Sequence, residues 1–148
     1  MSEHNEYMKM AISEANMAAN EGEVPVGAVI VCDGKVIATA HNNREATKDA
    51  TGHAELLAIR KACQTLGGWH LERCTLYVTL EPCPMCMGAI INSRMGSVVF
   101  GAKDAKAGAC GSVLNMTAYP LNHKPKVEGG FLRDECAAQL SEFFKAKR

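Results

Sequence analysis

The segment CTLYVTL, residues 74–80, has no polar face, and it runs directly into a proline-flanked cysteine pair, LEPCPMC, at 80–86. A strand that is apolar or β-branched on both sides belongs in the middle of a sheet covered above and below, so the chain must supply helices for two faces. It does. Tyr7–Asn20 places Met8, Ala11, Ile12 and Ala15 at helical spacing, with Ser13, Glu14 and Asn16 opposite and Gly22 as a stop. VGAVIVCDGKVIATAH, 26–41, is a pair of β-rich runs around Asp33-Gly34, a hairpin signal. His53–Leu66 is apolar nearly all round, which predicts a buried helix ending near Gly67-Gly68. Pro84 opens a helix over Met85–Asn92, and SVVFGA (97–102) is a short buried strand. Residues 102–125 form a long irregular connection, KVEGG holds a last short strand, and Asp134 is expected to cap a helix. In that helix Cys136, Ala137, Leu140, Phe143 and Phe144 share a face. The pattern predicts one domain over 1–148, an α/β sandwich with a mixed sheet between two helical layers.

Composition narrows the class. Hydrophobic residues make up 47% of 148, too many for a disordered chain. No uncharged apolar run reaches the roughly 18 residues of a membrane span, and MSEHNEYMKM is too acidic for a signal peptide. A soluble, cytoplasmic protein with no membrane partner is expected. The seven cysteines, an odd number mostly inside apolar runs, argue against a disulfide framework.

The pair Cys83 and Cys86 therefore needs another explanation. With Pro84 as the first helical residue, both sulfurs sit at the positive end of a helix, which favours thiolate. That setting suits a redox dithiol as well as a metal, and the pair alone leaves both open. A four-cysteine site needs a second close pair, and the other five cysteines are isolated. The sequence TGHAE places His53 and Glu55 at the start of the other helix. Taken singly, His53 is an ordinary helix-start histidine and Glu55 a capping glutamate. Taken together, H-x-E and P-C-x-x-C supply three zinc ligands, His53, Cys83 and Cys86, with the fourth tetrahedral position left for water. Glu55 stands where a carboxylate can hold that water and move its proton. His4 in a fraying terminus, His70 in a surface turn, and His41 and His123 in loops lack metal-ligand spacing to the cysteines.

This combination resembles the zinc-dependent deaminases of the cytidine deaminase superfamily. EVPVGAVIV, AHNNRE, TLYVTLEPCPMCMGAI, SRMGSVVFGAKDAKAGACGS, LNHK and DECAAQLSEFFKAKR are similar, more narrowly, to bacterial tRNA-specific adenosine deaminases, from about Met8 to the C-terminus. The resemblance implies a five-stranded sheet in a three-layer α-β-α sandwich, one Zn²⁺ per chain, a homodimer, and conversion of adenosine to inosine at the wobble position of a tRNA anticodon. It implies that Asn42 hydrogen-bonds the flipped adenine and that the Ala54 N–H lines the base pocket. It further implies that Asp104, Lys106 and neighbouring lysines, with Phe144 and Lys147 on the last helix, meet the anticodon stem-loop. Water activated at the metal would attack C6, with Glu55 carrying the proton to N1 and helping to expel ammonia. Where that family often has PTAHAE, this chain has ATGHAE, so Ala50 and Gly52 are expected to loosen the turn before the catalytic helix.

Charge is a weaker guide. The net charge is zero, but residues 1–50 hold four basic and eight acidic side chains and residues 99–148 hold eight and five. By itself the terminal FFKAKR reads as a solvated helix end. With the loop lysines Lys103 and Lys106, the tail cations Lys145, Lys147 and Arg148 form the expected RNA-facing set. The competing enzyme reading is a free-base deaminase, for guanine or cytosine, which shares the zinc motif but lacks the FGAKDAKAGACGS loop and the basic tail. A non-catalytic zinc module fits poorly, because a closed structural site has no use for Glu55.

Overall fold

The protein is described by a computed structural model covering residues 2–147, with the side chain of Ser2 outside the description. Arg148, one of the expected RNA-facing cations, lies outside the described residues. The elements run α1 (Ser2–Asn20), β1 (Gly27–Cys32), β2 (Lys35–His41), α2 (Arg44–Thr47), α3 (Ala54–Leu66), β3 (Cys74–Leu80), α4 (Pro84–Asn92), β4 (Ser97–Ala102), a 3₁₀ turn (Met116–Ala118), β5 (Lys126–Glu128) and α5 (Arg133–Ala146). The five strands lie in the order β2-β1-β3-β4-β5. β1 is antiparallel to both β2 and β3, while β3–β4 and β4–β5 are parallel, so the sheet is mixed as expected.

The period-two alternation of the central strands creates two cores. Ala28 and Ile30 of β1, Leu76 and Val78 of β3, and Val98 and Phe100 of β4 point to one face, where α3 and α4 cover them with Ala58, Ala62, Met87 and Ile90. Val29 and Val31, Tyr77 and Val99 point to the other, covered by Met8 and Ala11 of α1 and Cys136 of α5. Every residue of β1 is buried, which is why that run carries no polar alternation. The β1–β2 turn is Asp33-Gly34, with both residues at positive φ (50° and 79°), the type I′ geometry expected of a two-residue hairpin.

Several expectations are corrected. α1 begins at Ser2, five residues before the apolar period starts, so His4 is helical rather than frayed, and its Nδ1 lies 2.7 Å from the Tyr77 hydroxyl. His41 is the last residue of β2 rather than a loop residue. α3 is not buried all round: Arg60, Lys61, Gln64 and Thr65 face solvent, and only the stripe Ala54, Glu55, Ala58, Ile59, Ala62 is buried. α5 starts at Arg133, capped not by Asp134 but by Leu132 in a left-handed conformation (φ 51°, ψ 38°) without a side-chain bond. Of the expected apolar face of α5, Cys136 and Ala137 pack into a core, whereas Phe143 and Phe144 belong to neither core and pack edge to face on each other at 5.4 Å.

Candidate active site

Helix starts α3 and α4 converge at the C-terminal end of β3. His53 is the residue before α3 (φ −86°, ψ 144°) and makes no side-chain cap bond, which leaves its imidazole to turn toward α4. Cys83 occupies the matching position before α4, Pro84 follows it, and Cys86 sits one turn along, fully buried. His53 Nδ1 lies 3.7 Å from Cys83 Sγ and 3.5 Å from Cys86 Sγ. A tetrahedral zinc with bonds of about 2.05 Å to nitrogen and 2.3 Å to sulfur sets those atoms about 3.6 Å apart. The donor set fits such an ion in chemistry and spacing, and the three ligand atoms lie within 4.8 Å of one another.

Electrostatics divide the two thiols. The hydrogen bond from Cys86 and then that from His53 hold the Cys83 thiol down at about 4, so it is a thiolate, the form that ligates metal. The bond to Cys83 and then burial raise Cys86, so the thiolate expected at both sulfurs is favoured at Cys83 alone, and Cys86 would release its proton on ligating a metal. The Cys83 contact in turn raises His53 against the effect of its burial. Glu55 follows His53 by two residues and is only 4% exposed. Burial pushes its carboxyl up to about 7, and a cation at the triad acts in the opposite sense. A proton carrier balanced near neutrality is what general acid–base chemistry requires.

The cleft in front of these residues has a volume of about 220 Å³, below the roughly 300–1,000 Å³ of ordinary small-molecule sites and suited to one flat ring system. Asn42 forms its wall, 7% exposed. Its Oδ1 accepts the Ala54 N–H at 2.8 Å, so the Ala54 donor expected in the base pocket is engaged by Asn42, and the two act as one unit. That bond also orients the amide with Nδ2 on the other side. Asp104 reaches the rim, where its Oδ1 accepts the N–H groups of Lys106 (3.0 Å) and Ala107 (3.1 Å). A second cavity of about 560 Å³ shares Val24, Asn42 and Arg44 with the cleft and is walled by Phe143, Phe144 and Lys147. Lys147 Nζ stands 5.2 Å from the Phe143 ring centre. Lys106 lines neither cavity.

The turn before α3 is not loose. Asp49 Oδ1 accepts both the N–H (2.8 Å) and the hydroxyl (2.7 Å) of Thr51, and Gly52 accepts from the Asn43 N–H at 3.0 Å. A Cβ on Gly52 would fall 2.5 Å from Asn43 Oδ1, so the glycine allows a close approach that locks this turn. Sequence reasoning missed three residues at the site. Arg44 lines both cavities. Glu23, 2% exposed, accepts the N–H groups of Glu45 (3.0 Å) and Ala46 (2.8 Å) and so fixes the α2 segment that carries Arg44. Glu81, also 2% exposed, lies between β3 and Cys83. The available signal was a carboxylate entering an apolar core without a cation nearby in the chain.

The MafB19-like deaminase family matches residues 2–148. The chain is 50% identical, over 149 residues, to the tRNA-specific adenosine deaminase of Bacillus subtilis (strain 168), covering 100% of this chain and 92% of that one. It belongs to the tRNA-specific adenosine deaminase family. A solved tRNA:A34 deaminase, from work on A-to-I editing at the wobble position of transfer RNA, superposes with a TM-score of 0.89 at 43% identity, covering 91% of this chain and 99% of that one. The guanine deaminase of Bacillus subtilis shares 42% identity, but its TM-score is 0.67 and coverage 82% and 78%. The sandwich is common to both; the fit over the whole chain is better with the tRNA deaminase of the family.

Proposed function

We propose that this protein deaminates adenosine to inosine at the wobble position of a tRNA anticodon. The observation that carries the reading is a metal-fitting triad with a buried glutamate, set in a base-sized cleft, in a chain that matches tRNA-specific adenosine deaminases along its length. His53, Cys83 and Cys86 would hold zinc, which when bound acidifies a water molecule and makes it nucleophilic near neutral pH.

The chain's own residues do the remaining work. Adenine, turned out of the anticodon loop, enters the cleft, and the Asn42 Nδ2 donates to a ring nitrogen while Oδ1 stays on the Ala54 N–H. Glu55 takes a proton from the water and delivers it to N1, which makes C6 electrophilic to the water oxygen; it then takes the proton of the new C6 hydroxyl and gives it to the amine, so the C6–N bond breaks as the C6 carbonyl forms. Adenosine and water give inosine and ammonia. Asp104 borders the base, and a flanking nucleotide occupies the second cavity, stacking on Phe144 with Lys147 at its phosphate. Lys106, exposed on the same loop, contributes to the positive field around the strand.

The test is inosine formation in a tRNA with adenosine at the wobble position, before and after zinc is removed and restored. Ammonia release from free guanine or cytosine, with no inosine in the tRNA, would overturn the reading in favour of a free-base deaminase. No helix of the described residues is long and apolar enough to cross a membrane; action in the cytoplasm, where tRNA is found, and as a homodimer are part of the same proposal, the second checked by sedimentation equilibrium.

A further inference from the structure

Glu81 is the buried carboxylate beside the cleft to which the proposed reaction gives no task. Its two oxygens face the Asp104–Ser112 loop. Oε1 accepts the Asp104 N–H at 3.0 Å and the Ser112 hydroxyl; Oε2 accepts the N–H groups of Cys110 at 2.9 Å and Ser112 at 3.2 Å. Four donors on two oxygens occupy the carboxylate's acceptor capacity, so Glu81 is committed to the loop and has no lone pair for substrate. The loop is shaped to receive it. A Cβ on Gly108 would fall 2.4 Å from the Glu81 carboxyl carbon, so only glycine lets the chain wrap this closely. Main-chain bonds flank the clamp, from the Ala109 N–H to the Pro82 carbonyl and from the Glu81 N–H to the Ala102 carbonyl, both 2.8 Å. The same loop puts Asp104 and Ala107 on the cleft.

We propose that Glu81 is a positioning residue that pre-orders the Asp104–Ser112 loop as one wall of the cleft, and so sets affinity for the RNA strand rather than the rate of the chemical step. This rests on the reading of the substrate as a tRNA loop. The physical reason is that the connection from β4 to β5 holds one 3₁₀ turn and one isolated bridge, Cys110 to Asn115, among the described residues, so a few scattered main-chain bonds and the Glu81 carboxylate together must order it. A wall already ordered in the free protein spares the substrate the entropy of fixing it. The charge matters as well as the shape. Glutamine at this position would turn an amide NH₂ toward donors that now meet an oxygen, breaking two of the four bonds at constant volume.

The test compares full-length, zinc-loaded wild type with Glu81→Gln and Ser112→Ala. Amide exchange at Asp104, Cys110 and Ser112 should quicken by about tenfold or more in Glu81→Gln, with the β1 and β3 amides unchanged. KM for an anticodon stem-loop should rise by about tenfold, with kcat falling less than KM rises. Ser112→Ala should move both in the same direction, by roughly threefold, since a single bond is removed. Unchanged loop exchange overturns the proposal, as does a fall in kcat at constant KM, which would put Glu81 in the chemistry. If Glu81→Gln loses zinc or melts, Ser112→Ala decides, and wild-type exchange and KM in that variant overturn the clamp. The exchange measurement needs no RNA, so a wild type that edits no stem-loop sinks the tRNA reading while the clamp is still judged by itself.

Discussion

At the inner end of the cleft, His53, Glu55, Cys83 and Cys86 stand on the first turns of two helices anchored to the central strand, and Cys86 and Glu55 are buried. At the outer end, Asp104 and Lys106 stand on an irregular loop and Phe144 and Lys147 on the last turns of α5; of these, Phe144 is 49% exposed. The inner end needs atoms held to a few tenths of an ångström, and helix starts provide that from short-range geometry. On the proposed reading the outer end would meet a flexible polyanion, for which charge and a stacking surface suffice and small displacements cost little. Changes at the inner end should therefore act on the reaction in large steps, and changes at the outer end on binding in small ones.

The largest expected effect is at Glu55. Glu55→Gln keeps the side chain's volume and removes its ability to carry a proton, and it should lower kcat by about 10²–10⁴-fold while zinc stays bound. Single-turnover rates with measured metal content check this; a fall smaller than about tenfold would mean another group moves the proton. Cys86→Ala, by contrast, should lose the metal itself, because two protein ligands with a carboxylate nearby do not make a zinc site. Full zinc occupancy in that variant would break the assignment of the inner end.

That end was legible in the sequence for a physical reason. H-x-E and P-C-x-x-C describe helix starts, whose geometry is local, so residues two or three apart in the chain have known relative positions. The central strands were legible for the same reason, since burial on both faces leaves a run such as CTLYVTL without polar alternation. The clamps were not. Glu23 binds N–H groups 22 and 23 residues away and Glu81 binds groups as far as 31 residues away, pairings that leave no periodic trace. The first turns of α1 were missed because SEHNEY has no apolar stripe, and the start of α5 because Leu132 caps it by backbone conformation alone.

An intermediate effect is expected at the outer end. Removing residues 145–148 deletes Lys147 from the second cavity but leaves Phe143 and Phe144, which form its aromatic wall. Affinity for the stem-loop should fall and its salt dependence flatten, the slope dropping by about 0.7 for each single-strand phosphate that the tail no longer neutralises. Zinc content and thermal midpoint should hold, since the deleted residues Lys145, Ala146 and Lys147 are exposed. An unchanged salt slope would reduce residues 145–148 to a solvated helix end and leave the loop and Phe144 to meet the RNA.

The smallest effect concerns the strand that leads to Asn42. His41, the last residue of β2, has Nδ1 2.9 Å from Glu14 of α1 and Nε2 3.0 Å from Glu21 just beyond that helix. Both ring nitrogens face carboxylates, and donating to both requires the imidazolium. Partial burial opposes that charge, but the bonds and charges of Glu14 and Glu21 outweigh it and raise the pKa above its usual value. A pKa raised in the folded state gives stability that is complete below the unfolded value of about 6.5 and disappears as pH rises through the folded one. The pair is partly exposed, so its worth is on the scale of roughly 0.2–1 kcal/mol, which is a few degrees at most for a chain of this size. The melting temperature of wild type should exceed that of His41→Gln near pH 5.5, and the gap should close by alkaline pH. A gap that is the same at every pH would show that His41 acts by packing alone, and the approach to Asn42 would then be as independent of protonation as the helix starts are of salt.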